Sequence, residues 1–596
     1  MFRGLVLFLT GSALRCAQAD EGLPNATITT VQLGETSGGP SDAAAVPGFC
    51  RCRAGQSCFD AAPWGELAGL GVRVGDVEPL DRSVLLTLTA EHDPLWLSSQ
   101  PGGTHHSGAM GSPRIPGWMI TNSTPSKFVT ISDALEASQA LRFATKHHIA
   151  VVVKNTGHDW GGRSVSPGSL MLWTHKMNTI EWHEDFTPLD CGSSAGSAVT
   201  VGAGVQFHHL YEQAFVQRRY VVGGTCLSVG IVGCTLGGCY GDASRMYGSA
   251  ATNLLEAEVV LASGEVVTAN KCGGHADLFK AIRGGGGAFG LVTKATYRTF
   301  PEISHEAGLF GKLRGGPVEG LVRFLAWYAE VVREGQAKHF GGILFISSSG
   351  VNSLINANGL ELSRCKQISK PLGLPCQSWS ISWPPKDAWR SPHAEGIVDA
   401  WEKNFSSSYR TESLTRYFML DHIRTDAQRQ RFSKIVAHIA MSLPPHRHIV
   451  LSLNYVLGHS SSVALEDAAD TSVHPDVMTA VGSLKIDFTT HYKDLPGDAA
   501  SDSFPINQQA WTNLEFVRGK LDMLLPAAGS YYNEADYTEE QWQSRFWGSN
   551  YAELLRTKRK YDPDNVFTCH HCVGSEEAGA QSGCGRRLGH SAPVWV

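Results

Sequence analysis

At 596 residues, with 42% hydrophobic and 18% charged side chains, the chain is long enough for two or more lobes with sizeable cores, and disorder is not the default. A formal net charge of -6 and the lack of any long basic run favour neither a nucleic-acid partner nor an anionic membrane.

Arg3 precedes an apolar run at residues 5–9, and Ala17-Gln18-Ala19 precedes Asp20, the layout of a cleavable secretory signal over residues 1–19. No other run reaches the ~20 apolar residues that a membrane helix needs, so a secreted, extracellular chain is expected. Sequons at Asn25, Asn122 and Asn404 suit a glycoprotein. Losing Cys16 with the signal turns fourteen cysteines into thirteen, an odd number in an oxidising compartment, so one thiol should have work outside a disulfide. Cys50, Cys52 and Cys58, then Cys365 and Cys376, then Cys569, Cys572 and Cys584 read as structural, with connectivity left open. Cys569-His570-His571-Cys572 offers zinc-type ligands, but the second ligand pair is missing and the compartment favours disulfides, so no metal is expected. His105-His106 and His208-His209 read as solvated pairs.

Residues 20–124 are rich in Gly, Pro, Ser and Asp and read as an irregular segment partly pinned by cystines. Order begins with a strand at 128–131. A helix capped by Ser132 or Asp133 follows, with Leu135, Leu141 and Ala144 directed at a core. The β-branched run 149–154 is a buried strand that empties into NTGHDWGGRS, residues 155–164. Glycines at 157, 161 and 162 let the backbone turn there, present N–H groups to a phosphate and admit a flat ring. The bland alternative makes His158 a turn histidine bonded to Asp159.

Strands at 170–173 and 198–201, a helix at 206–216 and a strand at 220–222 lead to a second glycine-rich turn, GGTCLSVGIVGCTLGGCYG, residues 223–241, too dense in glycine for a regular element. Two such loops after strands would wall one extended ligand. A hairpin joins 256–261 to 265–269 through Ser263-Gly264. A helix at 277–283 then meets GGGGAFG, either a phosphate turn or a tight helix-to-strand connection. From about residue 301 the texture shifts to longer amphipathic helices, such as 318–332 and 427–441, and strands such as 343–346 and 449–455, a second lobe. Residues 350–394 read as a surface excursion.

NTGHDWGGRS, the GGTC turn, LLEAEVVLASGEVV and DLFKAIRGGGGAFG occur in the order seen in the flavin-binding domain of the vanillyl-alcohol-oxidase superfamily, and the chain resembles its berberine-bridge-enzyme-like branch. YYNEAD from Tyr531 and FWGSNYAELLRTKRKYDPDNVF from Phe546 resemble that branch's C-terminal segment, and HHCVGSE its secreted fungal-type members. The resemblance implies an α+β fold: a PCMH-type FAD-binding domain of two α+β subdomains over 125–302, and a substrate domain with an antiparallel sheet and flanking helices over 303–530. A C-terminal segment, 531–576, would return to the FAD domain, followed by a tail, 577–596.

The resemblance further implies FAD bound covalently through His158 to the flavin 8α-methyl and through Cys226 to flavin C6, which would account for the odd thiol. It implies cofactor contacts from Asn155, Thr156, Gly157, Asp159, Gly161, Gly162, Arg163 and Ser164 in the first loop. Gly223, Gly224, Thr225, Val229, Gly230, Gly233, Gly238, Tyr240 and Gly241 would supply them in the second, with Asn253, Val260 and Asn533 elsewhere. Cys234 and Cys239-Tyr240 depart from the branch's usual glycines and aromatics, and would either crowd the flavin or pair. The implied chemistry is hydride transfer from an alcohol, sugar or secondary-metabolite substrate, with a base taking the hydroxyl proton and O2 reduced to H2O2. Tyr531 is the leading base, provided that a cationic neighbour or another interaction depresses its pKa, with Glu534, Asp487 and Lys485 as rivals. Val229 matches a position where a small side chain leans toward oxygen as acceptor. The alternatives are a dehydrogenase with another acceptor and an inactive binding protein on the same fold.

Overall fold

The computed structural model describes residues 51–76, 126–166, 168–303, 307–378, 409–443, 449–453, 456–457, 469–491 and 508–580. The signal-like segment, the three sequons, His105-His106, Cys50 and Cys584 lie outside the described residues.

A four-stranded sheet, in the order β1-β2-β4-β3, opens the first lobe. β1 (Arg73–Asp76) runs antiparallel to β2 (Lys127–Thr130), while β2 and β3 (Val151–Lys154) both lie parallel to β4 (Leu170–Trp173). Part of the N-terminal segment expected to be irregular is therefore built into this sheet. A helix, Trp64–Gly69, precedes β1, and the Cys52–Cys58 disulfide lies beside a bridge between Cys52 and Ile149.

The helix Ala134–Lys146 covers the sheet and is capped by Asp133, whose side chain accepts from Glu136 N. Ala137, Leu141 and Ala144 recur at helical spacing and are fully buried. Leu135, expected in the same stripe, is 65% exposed. Six residues separate it from Leu141, which turns it about a third of the way round the helix.

A five-stranded antiparallel sheet, β5-β6-β10-β8-β9, completes this lobe. Its strands are β5 (Ile180–His183), β6 (Ala198–Gly202), β8 (Leu254–Val260), β9 (Val266–Asn270) and β10 (Leu291–Arg298). The expected hairpin is present, with Val260 paired to Val266 across the turn, and Cys191–Cys272 staples the connection between β5 and β6 to the exit of β9. The expected strand at 220–222 is only the two-residue β7 (Arg219–Tyr220), paired with β11 (Phe300–Pro301). The four-glycine run joins the helix Ala276–Ile282 to β10, with Gly284, Gly285 and Gly286 buried and Gly287 exposed.

The second lobe is a seven-stranded antiparallel sheet, β15-β12-β14-β13-β17-β18-β16. It comprises β12 (Ala307–Lys312), β13 (Phe340–Ser347), β14 (Gly350–Ala357), β15 (Gln377–Ser378), β16 (Tyr409–Phe418), β17 (Ile449–Ser452) and β18 (Gly482–His491). The helices Pro317–Arg333, Asp426–Ser442 and Gln508–Leu524 share its core, among them Leu321, Phe324, Phe432 and Leu521. The expected surface excursion begins inside this sheet: β14 pairs with both β12 and β13 because its buried alternation continues the core. Cys365 and Cys376 do close a short loop. No helix among the described residues is long and apolar enough to cross a membrane.

Candidate active site

The loop leaving β3 is fixed before it reaches His158. Asn155 Nδ2 donates to Ala203 O at 2.9 Å, and a side chain at Gly230 would strike that amide, so the second loop passes directly over the first. The stretch 205–208 straps the second loop down: Phe207 N donates to Val229 O, His208 N to Leu227 O, and Ile231 N to Val205 O. The loop is not wholly irregular, since Ile231–Leu236 forms a helix. Glycine's low helix propensity is overridden here by burial of Ile231, Val232 and Thr235.

This crossing brings His158 Nε2 to 2.8 Å from Ser228 Oγ, and the same oxygen lies 3.8 Å from Cys226 Sγ. His158 and Ser228 are buried, whereas Cys226, Asn155 and Val229 are half-buried. Thr156 is buried, and Gly157 has a positive φ of 84°. Asp159 takes Arg163 N and Nε, both at 2.9 Å, bracing the turn through Gly161, Gly162 and Ser164.

Ten of the described cysteines form five disulfides, and the thiol of Cys226 belongs to none of them. The two cysteines that depart from the family pattern pair with each other, Cys234 with Cys239, and so fold the end of the second loop around Gly237 and Gly238. Cys569 and Cys572 also pair, and no cluster suited to a metal ion occurs among the described residues.

The C-terminal segment closes the site. Asn533 Nδ2 donates to Cys234 O at 2.9 Å and to the Tyr531 hydroxyl at 3.0 Å, and its side chain occupies the space that a Cβ on Gly237 would need. Tyr531 meets the Tyr240 ring edge-on at 5.1 Å. From the second lobe, Lys485 on β18 reaches Glu534 at 2.7 Å and lies 4.2 Å from the centre of the Trp160 ring in the first loop. Tyr531 is set in place by β16, where Thr415 Oγ1 accepts from Tyr531 N, and Arg416 Nη1 donates to Ser530 Oγ.

Burial pushes the pKa of Tyr531 up and the nearby charge of Glu534 raises it further, against the smaller lowering effects of the Asn533 hydrogen bond and the Arg163 charge. Tyr240 is pushed up as well, chiefly by burial and then by Tyr531. The Tyr240 hydroxyl is buried with no hydrogen-bond partner among the described residues. The side chain of Asp487 lies outside the described residues, although its backbone pairs with Ser413 in β16.

Other expected contacts fall around this core. Gly223 abuts the Phe207 ring and Gly241 the Gly223 carbonyl, Gly224 O accepts from Tyr211, and Gly238 lies against Tyr240. Thr225 and Gly233 are exposed. Asn253 donates to Tyr247 O and Ser249 O within its own turn, and Val260 is buried in the sheet, so neither joins the contacts between the loops. His208, expected to be solvated, is buried with Nδ1 3.2 Å from Leu227 O, while His209 is exposed. Sequence reasoning missed Ser228, Trp160, Thr415 and Arg416. Ser228, two residues beyond Cys226, and Trp160, inside the first glycine-rich loop, carried a local signal.

The family model described as an FAD binding domain matches residues 125–270, and the model for berberine and berberine-like proteins matches residues 530–574. The VAO-type flavoprotein oxidase VAO615 of Thermothelomyces thermophilus is 30% identical over 471 residues, 76% of this chain and 76% of that protein. The chain belongs to the berberine-bridge-enzyme-like FAD-linked oxidoreductases. Among solved structures, the VAO-type flavoprotein MtVAO615 of Myceliophthora thermophila C1 is similar to this flavoenzyme with a TM-score of 0.72 and 23% identity, covering 88% of this chain and 97% of that one. The glucooligosaccharide oxidase of Acremonium strictum, whose FAD is 6-S-cysteinyl and 8α-N1-histidyl, is similar with a TM-score of 0.62 and 18% identity, covering 87% and 99%.

Proposed function

We propose that this flavoenzyme is a secreted oxidase that takes hydride from a carbinol carbon of a sugar, alcohol or secondary metabolite and passes the electrons to O2, with FAD attached through both His158 and Cys226. The observation that carries the reading is the convergence of these two side chains on Ser228, which holds an imidazole and a thiol at one edge of the crossing loops. The bicovalent glucooligosaccharide oxidase named above lends the same pair of residue types. The residues fit the cofactor: Asn155, Cys226 and Val229 are only half-buried, and exposed Gly233 has nothing within 4 Å of where a Cβ would stand.

Bound FAD would supply the hydride acceptor and the electron relay to oxygen. The chain's own groups manage the proton. Lys485 and Glu534 place an ammonium and a carboxylate beside Trp160, next to the flavin loop, and Glu534 is the better proton acceptor than Tyr531, whose raised pKa keeps it protonated. Tyr531 and Tyr240 then serve as hydroxyl donors that orient the substrate. The small Val229 agrees with oxygen as acceptor.

The test is acid precipitation of purified protein, peptide mass mapping of any retained flavin, and an oxygen electrode with simple alcohols and oligosaccharides. Flavin on the His158 and Cys226 peptides with peroxide formed at the rate of substrate oxidation supports the reading. Turnover that proceeds with an artificial acceptor but consumes no oxygen would replace the oxidase with a dehydrogenase.

A further inference from the structure

We propose that Ser228 is a positioning residue for flavin attachment, a single hydroxyl that prepares His158 and Cys226 together. This rests on the covalent reading given above and adds a residue and a direction of hydrogen bonding to it.

The geometry is specific. Ser228 has no exposed surface, so water does not substitute for its hydroxyl, and its Oγ stands 2.8 Å from His158 Nε2 and 3.8 Å from Cys226 Sγ. A serine hydroxyl has one proton to donate and can accept at the same time. One arrangement serves both partners: His158 donates Nε2–H to Oγ, and Oγ–H is donated to Cys226 Sγ. With the proton held on Nε2, the lone pair of the neutral imidazole lies on Nδ1, which becomes the nucleophilic nitrogen. The hydrogen bond to sulfur favours the thiolate, the reactive form of cysteine. The reverse arrangement, with Ser228 donating to Nε2, would put the proton on Nδ1 and withdraw the hydrogen bond from sulfur.

The chemistry balances with dioxygen as the oxidant. At the 8α position a C–N bond forms while one methyl C–H and the imidazole N–H are lost. At C6 a C–S bond forms while the ring C–H and the thiol S–H are lost. Each attachment leaves two electrons and two protons on the flavin, and O2 removes them as H2O2. Ser228 neither gains nor loses a bond to carbon. Its part is to fix a tautomer and a charge.

The experiment uses the full chain produced under riboflavin limitation and then supplied with FAD. Flavin fluorescence quenching reports non-covalent binding, and acid-stable flavin on the His158 and Cys226 peptides reports each linkage separately with time. Ser228→Ala is expected to bind FAD as wild type does but to slow both attachments by roughly tenfold or more, the rate equivalent of one charge-assisted hydrogen bond. Ser228→Thr, which keeps the hydroxyl, is expected to restore both and also covers the case in which the alanine variant folds poorly. Wild-type rates at both peptides in Ser228→Ala, slowing at only one peptide, or no rescue by threonine in a folded protein would each overturn the proposal. Wild-type protein that binds FAD without attaching it at either residue would instead overturn the covalent reading itself, and this inference with it.

Discussion

The guanidinium of Arg163 lies 3.7 Å from the centre of the Tyr532 ring, and its Nη2 donates to the Tyr532 carbonyl at 3.0 Å. Asp159 holds the other side of the same guanidinium. One side chain therefore ties the loop that carries His158 to the segment that carries Tyr531 and Glu534, more than 360 residues later in the chain.

Replacing Arg163 by leucine should loosen both partners. The stack, the carbonyl hydrogen bond and the pairing of half-buried Asp159 are lost together, so a loss of about 2–4 kcal/mol in unfolding free energy is expected from denaturant titration. Arg163→Lys keeps the charge but not the planar fork, and should fall between the two. An unchanged midpoint in Arg163→Leu would show that the clasp contributes nothing to the joint.

The contact between Gly237 and Asn533 gives a second prediction. A Cβ on Gly237 would stand 2.0 Å from Asn533 Oδ1, so Gly237→Ala must push the amide away from Cys234 O and from the Tyr531 hydroxyl. Stability should fall by about 1–3 kcal/mol, and turnover should fall with it, because Tyr531 loses its donor. Asn533→Ala combined with Gly237→Ala should recover part of the stability, and a double-mutant cycle measures how much.

The loops and strands of the flavin lobe were legible because each leaves a local trace. The β-branched run before Asn155 and the paired runs flanking Ser263-Gly264 are of this kind. Asp133 was one of two candidate caps, and the structure chose between them. What joins these pieces left no such trace. Thr415 and Arg416 set Tyr531 from over a hundred residues away, and Lys485 finds Trp160 from the opposite lobe. The burial of Tyr531 left no such trace either, since it depends on β16 and on the second glycine loop rather than on its neighbours in sequence. The insert at 350–394 was misread because β14 alternates only within a register that β12 and β13 supply.

Acidification should expose the burial of His208. Burial, with the neighbouring His209 adding, holds its pKa down at about 4, against about 6.5 in the unfolded chain. Between those values the unfolded state binds more protons, so stability falls as the pH drops from about 6.5 toward 4, by up to roughly 3 kcal/mol. His208→Gln should flatten the dependence of the unfolding midpoint over this window and leave stability above pH 7 nearly unchanged. An equally steep slope in the variant would place the sensitivity in another group.

The pair formed by Lys485 and Glu534 separates catalysis from stability. Its side chains are 9% and 17% exposed, so removing one charge strands the other in a poorly solvated place. Lys485→Met and Glu534→Gln should each destabilise the fold by about 1–3 kcal/mol, and the double variant by less than their sum. Activity should not follow that pattern. If Glu534 accepts the substrate proton, Glu534→Gln lowers kcat by about 10²–10⁴-fold, and the double variant stays as slow although its stability returns. Recovery of turnover alongside stability in the double variant would make the pair a structural strut and remove Glu534 from the role of base.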